Sequence, residues 1–215
     1  MILYLHGFAS GPESTKARAM AAGLAPDGLF PVRPDLTPGP DGFERSTPSS
    51  MLAIVEAELA AHPGPHAIVG SSLGGWLAAL AASRQPSVER LVLLAPAFRQ
   101  HERWMARLGA ADLERWRREG SVEVHHHAEN RPRRIGWGFF EDAARWPPFP
   151  VVKVPALCIA GRQDDTVPLE DVEAWVARTP GARLEGVDDG HELTGSLPRI
   201  VALTREFLSG GPGGP

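Results

Sequence analysis

The chain has one cysteine, Cys158, so no intramolecular disulfide can form. It has two lysines, Lys16 and Lys153, against 20 arginines. That bias reads as genome composition or heat adaptation rather than as a binding patch, although heat adaptation does not consistently favour arginine over lysine. Positive charge is not in excess. The formal net charge is −4, which gives no general attraction to nucleic acid or to an anionic membrane. No segment approaches the ~20 consecutive apolar residues of a membrane span. The opening Met1-Ile2-Leu3-Tyr4-Leu5-His6-Gly7 has neither a basic region nor the long apolar run of a secretory signal. No internal repeat is present. Together these absences set the expectation of a cytoplasmic protein without a nucleic-acid or membrane partner.

What is there is an ordinary globular composition, 43% hydrophobic and 22% charged over 215 residues. The length suits one domain over 1–209, with the Gly/Pro tail 210–215 flexible. Short apolar runs alternate with helix-like stretches. Strands are expected at Ile2–Leu5, His66–Gly70, Leu91–Ala95, Ala156–Ala160 and Ala182–Val187, with a weak, proline-broken one in Phe30–Leu36. Helices are expected at Ser10–Ala25, Thr47–Ala61, Leu73–Ser83, Leu169–Ala177 and Leu197–Leu208. Ser10 and Glu13 have capping-box spacing at the start of the first. Strands separated by helices imply an α/β fold whose mostly parallel sheet, about six strands, is covered on both faces.

Residues 97–150 break this rhythm. They carry four of the six tryptophans and ten arginines, and read as two short helices plus irregular chain. Their place between two sheet strands makes them a cap-like insertion over the C-terminal sheet edge, where ligands bind in open α/β folds.

The strongest chemical signal is Gly70-Ser71-Ser72-Leu73-Gly74, a G-x-S-x-G between an apolar strand and a helix. The serine of such a turn sits on strained backbone, and the glycines let neighbouring segments close around it. The helix N-terminus beside it favours negative charge. The plainer alternative, a glycine-rich turn with an incidental serine, weakens once partners stand in order along the chain. A serine hydroxyl needs a base. His191, between the last strand and last helix, is the candidate, whereas His62 and His66 flank a proline-glycine loop. Asp164, after the strand Ala156–Ala160, is the expected acid that orients the base, with adjacent Asp165 as the alternative. The order Ser72, Asp164, His191 is that of α/β-hydrolases. The oxyanion donors are then the backbone N–H of Leu73 and that of Phe8, in the loop after the first strand. His6 reads as a brace for that loop.

Weaker features point elsewhere. His125-His126-His127 alternates between two faces if extended, and nothing completes a zinc pattern, so it reads as solvated or cap-packing. Arg131-Pro132-Arg133-Arg134 reads as a solvated run, although it could hold an anion. Trp137, Phe139 and Phe140 suit an acyl-pocket wall or the insertion's own core equally well. Cys158 reads as a buried strand residue.

Through Leu3-Tyr4-Leu5-His6-Gly7-Phe8, Ser14-Thr15-Lys16-Ala17 and Gly70-Ser71-Ser72-Leu73-Gly74-Gly75, the chain resembles the α/β-hydrolase superfamily, in particular small bacterial esterases of the YqiA type. The resemblance covers about 1–95 and 151–209. It implies hydrolysis of a small carboxylic ester without cofactor or metal, and a sheet beginning at the strand equivalent to the third of larger relatives. Two rivals stand beside that expectation. An acyl-CoA thioesterase or small peptidase would use the same triad. A binding protein would keep the fold without the chemistry.

Overall fold

A computed structural model describes residues 1–210. Residues 211–215, most of the tail expected to be flexible, lie outside the described residues. In chain order the elements are β1 (Ile2–Leu5), α1 (Thr15–Leu24), α2 (Gly42–Arg45), α3 (Pro48–Ala61), β2 (His66–Ser71), α4 (Leu73–Arg84) and β3 (Val88–Leu94). Then follow α5 (Gln100–Glu119), β4 (Ser121–His126), β5 (Arg131–Gly136), α6 (Trp137–Ala143), β6 (Ala156–Gly161), α7 (Leu169–Val176), β7 (Ala182–Val187) and α8 (Leu197–Ser209).

Five strands form one sheet in the order β1-β2-β3-β6-β7, every pair parallel. The weak strand expected in Phe30–Leu36 adds a single parallel bridge, Val32 to Leu3, at the β1 edge. Prolines 31 and 34 limit it, because proline cannot donate to a ladder. The strands β1 and β6 are fully buried apolar runs because both faces are covered, whereas the edge strand β7 carries Arg183 and Glu185. Leu3, Leu5, Ile68, Leu91 and Leu93 pack into one cluster with residues of α3, α4 and α7. Ile2, Tyr4, Val69, Val92 and Leu94 point the other way and pack against α1 and α8. The period-two alternation of strand side chains thus builds two cores from one sheet.

Helix α1 starts later than its sequence suggests. Its cap is Ser14, whose hydroxyl accepts from Ala17 N–H at 3.3 Å, rather than Ser10. The stretch from Ser10 to Glu13 stays a loop, and it borders the cleft described below. Helix α3 begins as expected, with Pro48 in its first turn and a reciprocal Thr47–Ser50 capping box.

The segment between β3 and β6 is more regular than the sequence indicates. Helix α5 bends at Gly109, whose φ of 72° interrupts two helical stretches. The residues read as irregular chain contain an antiparallel hairpin, β4–β5, in which His125 lies opposite Pro132. Only its first strand had a legible extended pattern. Tryptophan N–H groups tie the segment to the rest of the chain: Trp76 donates to Pro147 O at 3.1 Å, and Trp146 to Ser49 Oγ at 3.1 Å. Asp142 of α6 accepts from the N–H and hydroxyl of Ser49 at 2.6 and 2.7 Å. Its carboxylate therefore sits at the N-terminus of α3, where the helix dipole favours it. Among the described residues no helix is long and apolar enough to cross a membrane.

Candidate active site

Strands β1, β2, β6 and β7 all deliver their following loops to the same C-terminal sheet edge, and these loops carry the site. Ser72 stands between β2 and α4 with φ 53° and ψ −117°. An L-residue pays of order 1–3 kcal/mol for such backbone. Close packing holds it there. A Cβ added to Gly70 would lie 2.3 Å from Gly74 O, and one on Gly74 would lie 2.3 Å from Leu5 O. Glycine at these two positions lets β1, the turn and α4 approach one another. Ser72 N–H also donates to Leu94 O at 2.8 Å, and Ser72 O accepts from Ala97 N–H at 3.0 Å. Because the strain lies at Ser72 itself, Ser72→Gly should be more stable than Ser72→Ala by about 1 kcal/mol, after the flexibility cost of glycine. Chemical denaturation of the two variants measures this, and equal stabilities would remove the strain from the site.

His191 Nε2 lies 3.0 Å from Ser72 Oγ, and its Nδ1 lies 2.8 Å from Asp164 Oδ2. The three side chains placed in sequence by strand-end position thus form one hydrogen-bonded chain. The second Asp164 oxygen accepts from Thr166 N–H at 2.9 Å and Val167 N–H at 2.7 Å. Asp165, the alternative acid, instead accepts from the Thr166 hydroxyl at 3.2 Å. Burial pushes the Asp164 carboxyl up. The bonds from His191, Val167 and Thr166 outweigh this and hold it below the usual carboxylate range. The His191 loop is set by Asp189, whose two oxygens accept from Gly190 N–H and Ser196 N–H at 2.8 and 2.9 Å. Gly161 at the end of β6 makes room for it, since a Cβ there would lie 2.3 Å from Asp189 O.

Neither the Phe8 N–H nor the Leu73 N–H has a hydrogen-bond partner among the described residues, and Leu73 is the first residue of α4, where no intrahelical partner exists. His6 takes the bracing role its position suggests. It is 2% exposed; its Nε2 accepts from Leu36 N–H at 3.2 Å, which leaves Nδ1 to donate to Gly7 O at 3.0 Å. Burial lowers its pKa, which keeps that neutral arrangement. The Phe8 ring packs against Phe43, Trp104 and Phe139 at 5.3–5.6 Å between centroids, and this fixes the same loop from its other side.

A cleft of about 1310 Å³ opens over Ser72 and His191. Trp137, Phe139 and Phe140 do not line it. Trp137 and Phe140 pack with Trp116 in the insertion's own core, while Phe139 packs behind the cleft residues Phe8 and Trp104. Arg131 and Arg133 are held by Glu129 and Arg134 by Ser121, all away from the cleft. Of the three consecutive histidines, His126 is buried edge-on to Phe43 while His125 and His127 are exposed. Among the described residues no group of histidine, cysteine and acidic side chains is placed to hold a metal ion. Cys158 is buried in β6, and burial pushes its thiol pKa up. The sequence reading missed Gln100, Arg103, Trp104 and Arg107 of α5, which line the cleft. Their i, i+3, i+4, i+7 spacing was the available signal.

A family model described as an uncharacterised protein family, UPF0227, matches residues 1–144, a span that includes Ser72 and ends before Asp164 and His191. No curated protein matches the chain. Among solved structures, alpha/beta hydrolase domain-containing protein 10 from mouse superposes with a TM-score of 0.82 at 21% identity, over 96% of this chain and 88% of that one. Est1E from Butyrivibrio proteoclasticus gives 0.76 at 21% identity, over 96% and 86%. A structure from a study of LipS and LipT, two metagenome-derived lipolytic enzymes, gives 0.71 at 23% identity, over 95% and 93%. At such identities the likeness establishes the α/β-hydrolase fold.

Proposed function

The chain belongs to the uncharacterised protein family UPF0227, and on that footing we propose that it is a serine hydrolase that cleaves small carboxylic esters. The observation that carries this reading is the unbroken run Ser72 Oγ–His191–Asp164, at 3.0 and 2.8 Å, on the floor of the cleft. Ser72 is the nucleophile. His191 takes its proton as Oγ bonds to the ester carbonyl carbon, and the Asp164 carboxylate holds the imidazole tautomer and balances the imidazolium. The negative carbonyl oxygen is bound by the Leu73 and Phe8 amides, aided by the N-terminus of α4. Collapse of this intermediate expels the alcohol, which takes the proton back from His191. Water then attacks the acyl-serine with His191 as base, and the acid leaves.

Residues 97–150 act in this reading as a cap, since α5 forms one wall of the cleft. Phe8, Ala97, Trp104 and Val167 give the lining apolar surface among its serine, threonine and charged groups, and the acyl group proposed to lie there is a short one. A p-nitrophenyl ester series from acetate to palmitate tests this. Activity is expected to peak at two to six carbons. A peak at long chains would contradict the proposed pocket, and no hydrolysis of any ester would contradict the substrate class.

A further inference from the structure

Four cations, Lys16, Arg18, Arg103 and Arg107, line the cleft against three carboxylates, Glu13, Asp165 and Glu192. On the α1 side, Lys16 is paired with Glu192 at 3.3 Å, and Arg18 reaches only the backbone carbonyl of Glu13. The carboxylate of Glu13, which also borders the cleft, is taken by Arg33 at 3.0 Å. On the α5 side, Arg103 bonds Asp171 at 3.3 Å, but Asp171 is shared with Arg99 at 3.1 Å, so two guanidinium groups face one carboxylate. Arg107, one turn further on, is exposed and makes no ion pair or hydrogen bond among the described residues. Gln100, Arg103 and Arg107 lie on one face of the straight part of α5 before the bend at Gly109. The helical rise places Arg103 roughly 4–5 Å and Arg107 roughly 10 Å along the axis from Gln100. Gln100 itself lies three residues after Ala97, whose N–H bonds Ser72 O. Arg103 and Arg107 therefore stand along one wall of the cleft that holds Ser72 and His191.

We propose that the substrate is an ester bearing an oxyanionic group, carboxylate or phosphate, several bonds from the scissile carbonyl, and that Arg107, seconded by Arg103, is the specificity-determining cation that binds it. This rests on Ser72 being the nucleophile. A guanidinium suits the task because its fork matches either oxyanion in bidentate fashion. Arg107 is the better determinant of the two, since Arg103 is already half-occupied by Asp171.

The test compares kcat/KM for three acetate esters of matched shape: 3-acetoxybenzoate, 3-acetoxyphenyl phosphate and neutral 3-acetoxybenzamide. The wild type is expected to prefer at least one anionic ester over the amide. In Arg107→Gln the ratio of that anionic ester to the amide should fall about tenfold, the low end for a hydrogen bond to a charged group. Which anion is favoured separates a carboxylate from a phosphate substrate. Arg115→Gln, at an exposed position past the bend, controls for charge alone and should leave the ratio as it is. Turnover of the amide with no anionic preference, or a ratio that Arg107→Gln leaves unchanged, would overturn this proposal while the Ser72 chemistry stands. Failure of all three esters to turn over would remove both.

Discussion

Ser72→Ala is expected to reduce ester hydrolysis by at least 10⁴-fold while the fold survives. In well-studied serine hydrolases, removing the nucleophile costs roughly 10⁶-fold in kcat, and what remains comes from binding and the oxyanion donors. The fold survives because, among the described residues, the Ser72 hydroxyl makes a single hydrogen bond, with His191 Nε2, whereas the backbone of Ser72 carries the structural bonds to Leu94 and Ala97. Steady-state kinetics with p-nitrophenyl acetate and a circular-dichroism melt separate the two effects. A variant that remains folded and turns over within tenfold of wild type would eliminate Ser72 as nucleophile.

The second large effect divides two neighbouring aspartates. Asp164→Asn should lower kcat about 10⁴-fold, because an amide at this position would favour the wrong His191 tautomer. Asp165→Asn should change kcat less than tenfold, since its carboxylate accepts from the Thr166 hydroxyl while His191 Nδ1 is bonded to Asp164. The same pair predicts a pH effect on stability. Asp164 titrates below the usual carboxylate range in the folded chain. Its ionised form therefore stabilises the fold above the unfolded value of about 3.9, and that contribution is lost as pH falls through the lower folded value. Urea unfolding from pH 6 down to 3 should show a shallower acid loss for Asp164→Asn than for wild type. Equal kinetic losses in the two variants would mean that the base is not oriented by Asp164.

These aspartates also show what a sequence can and cannot disclose. Ser72 was legible because its glycines are demanded by backbone approaches of 2.3 Å, and residue type records such a constraint directly. Adjacent carboxylates at a strand end record no such choice. Asp164 is selected by a turn in which Thr166 and Val167 N–H groups close on one of its oxygens and leave the other for His191. Apolar runs gave four of the five parallel strands within a residue at their ends, and β3 with its start three residues late, because Val88-Glu89-Arg90 is not an apolar run. They could not give β5, whose Arg131-Pro132-Arg133-Arg134 has no apolar alternation and is strand only because β4 lies beside it. The start of α1 was misplaced because Ser10 and Glu13 imitate a cap that Ser14 supplies. The charge along the cleft was hidden for a related reason. The eye falls on the dense run Arg131–Arg134, but those side chains are tied to Glu129 and Ser121 away from the cleft, while Arg103 and Arg107, which reach the cleft, are spaced along one face of α5.

The most direct test of the central claim is labelling with a fluorophosphonate probe followed by peptide mass mapping, in the wild type and in His191→Ala. An activated Ser72 predicts one adduct on the peptide that contains it, and loss of labelling when His191 is removed. No adduct in folded protein, or an adduct at another serine, would contradict Ser72 as the nucleophile of this site.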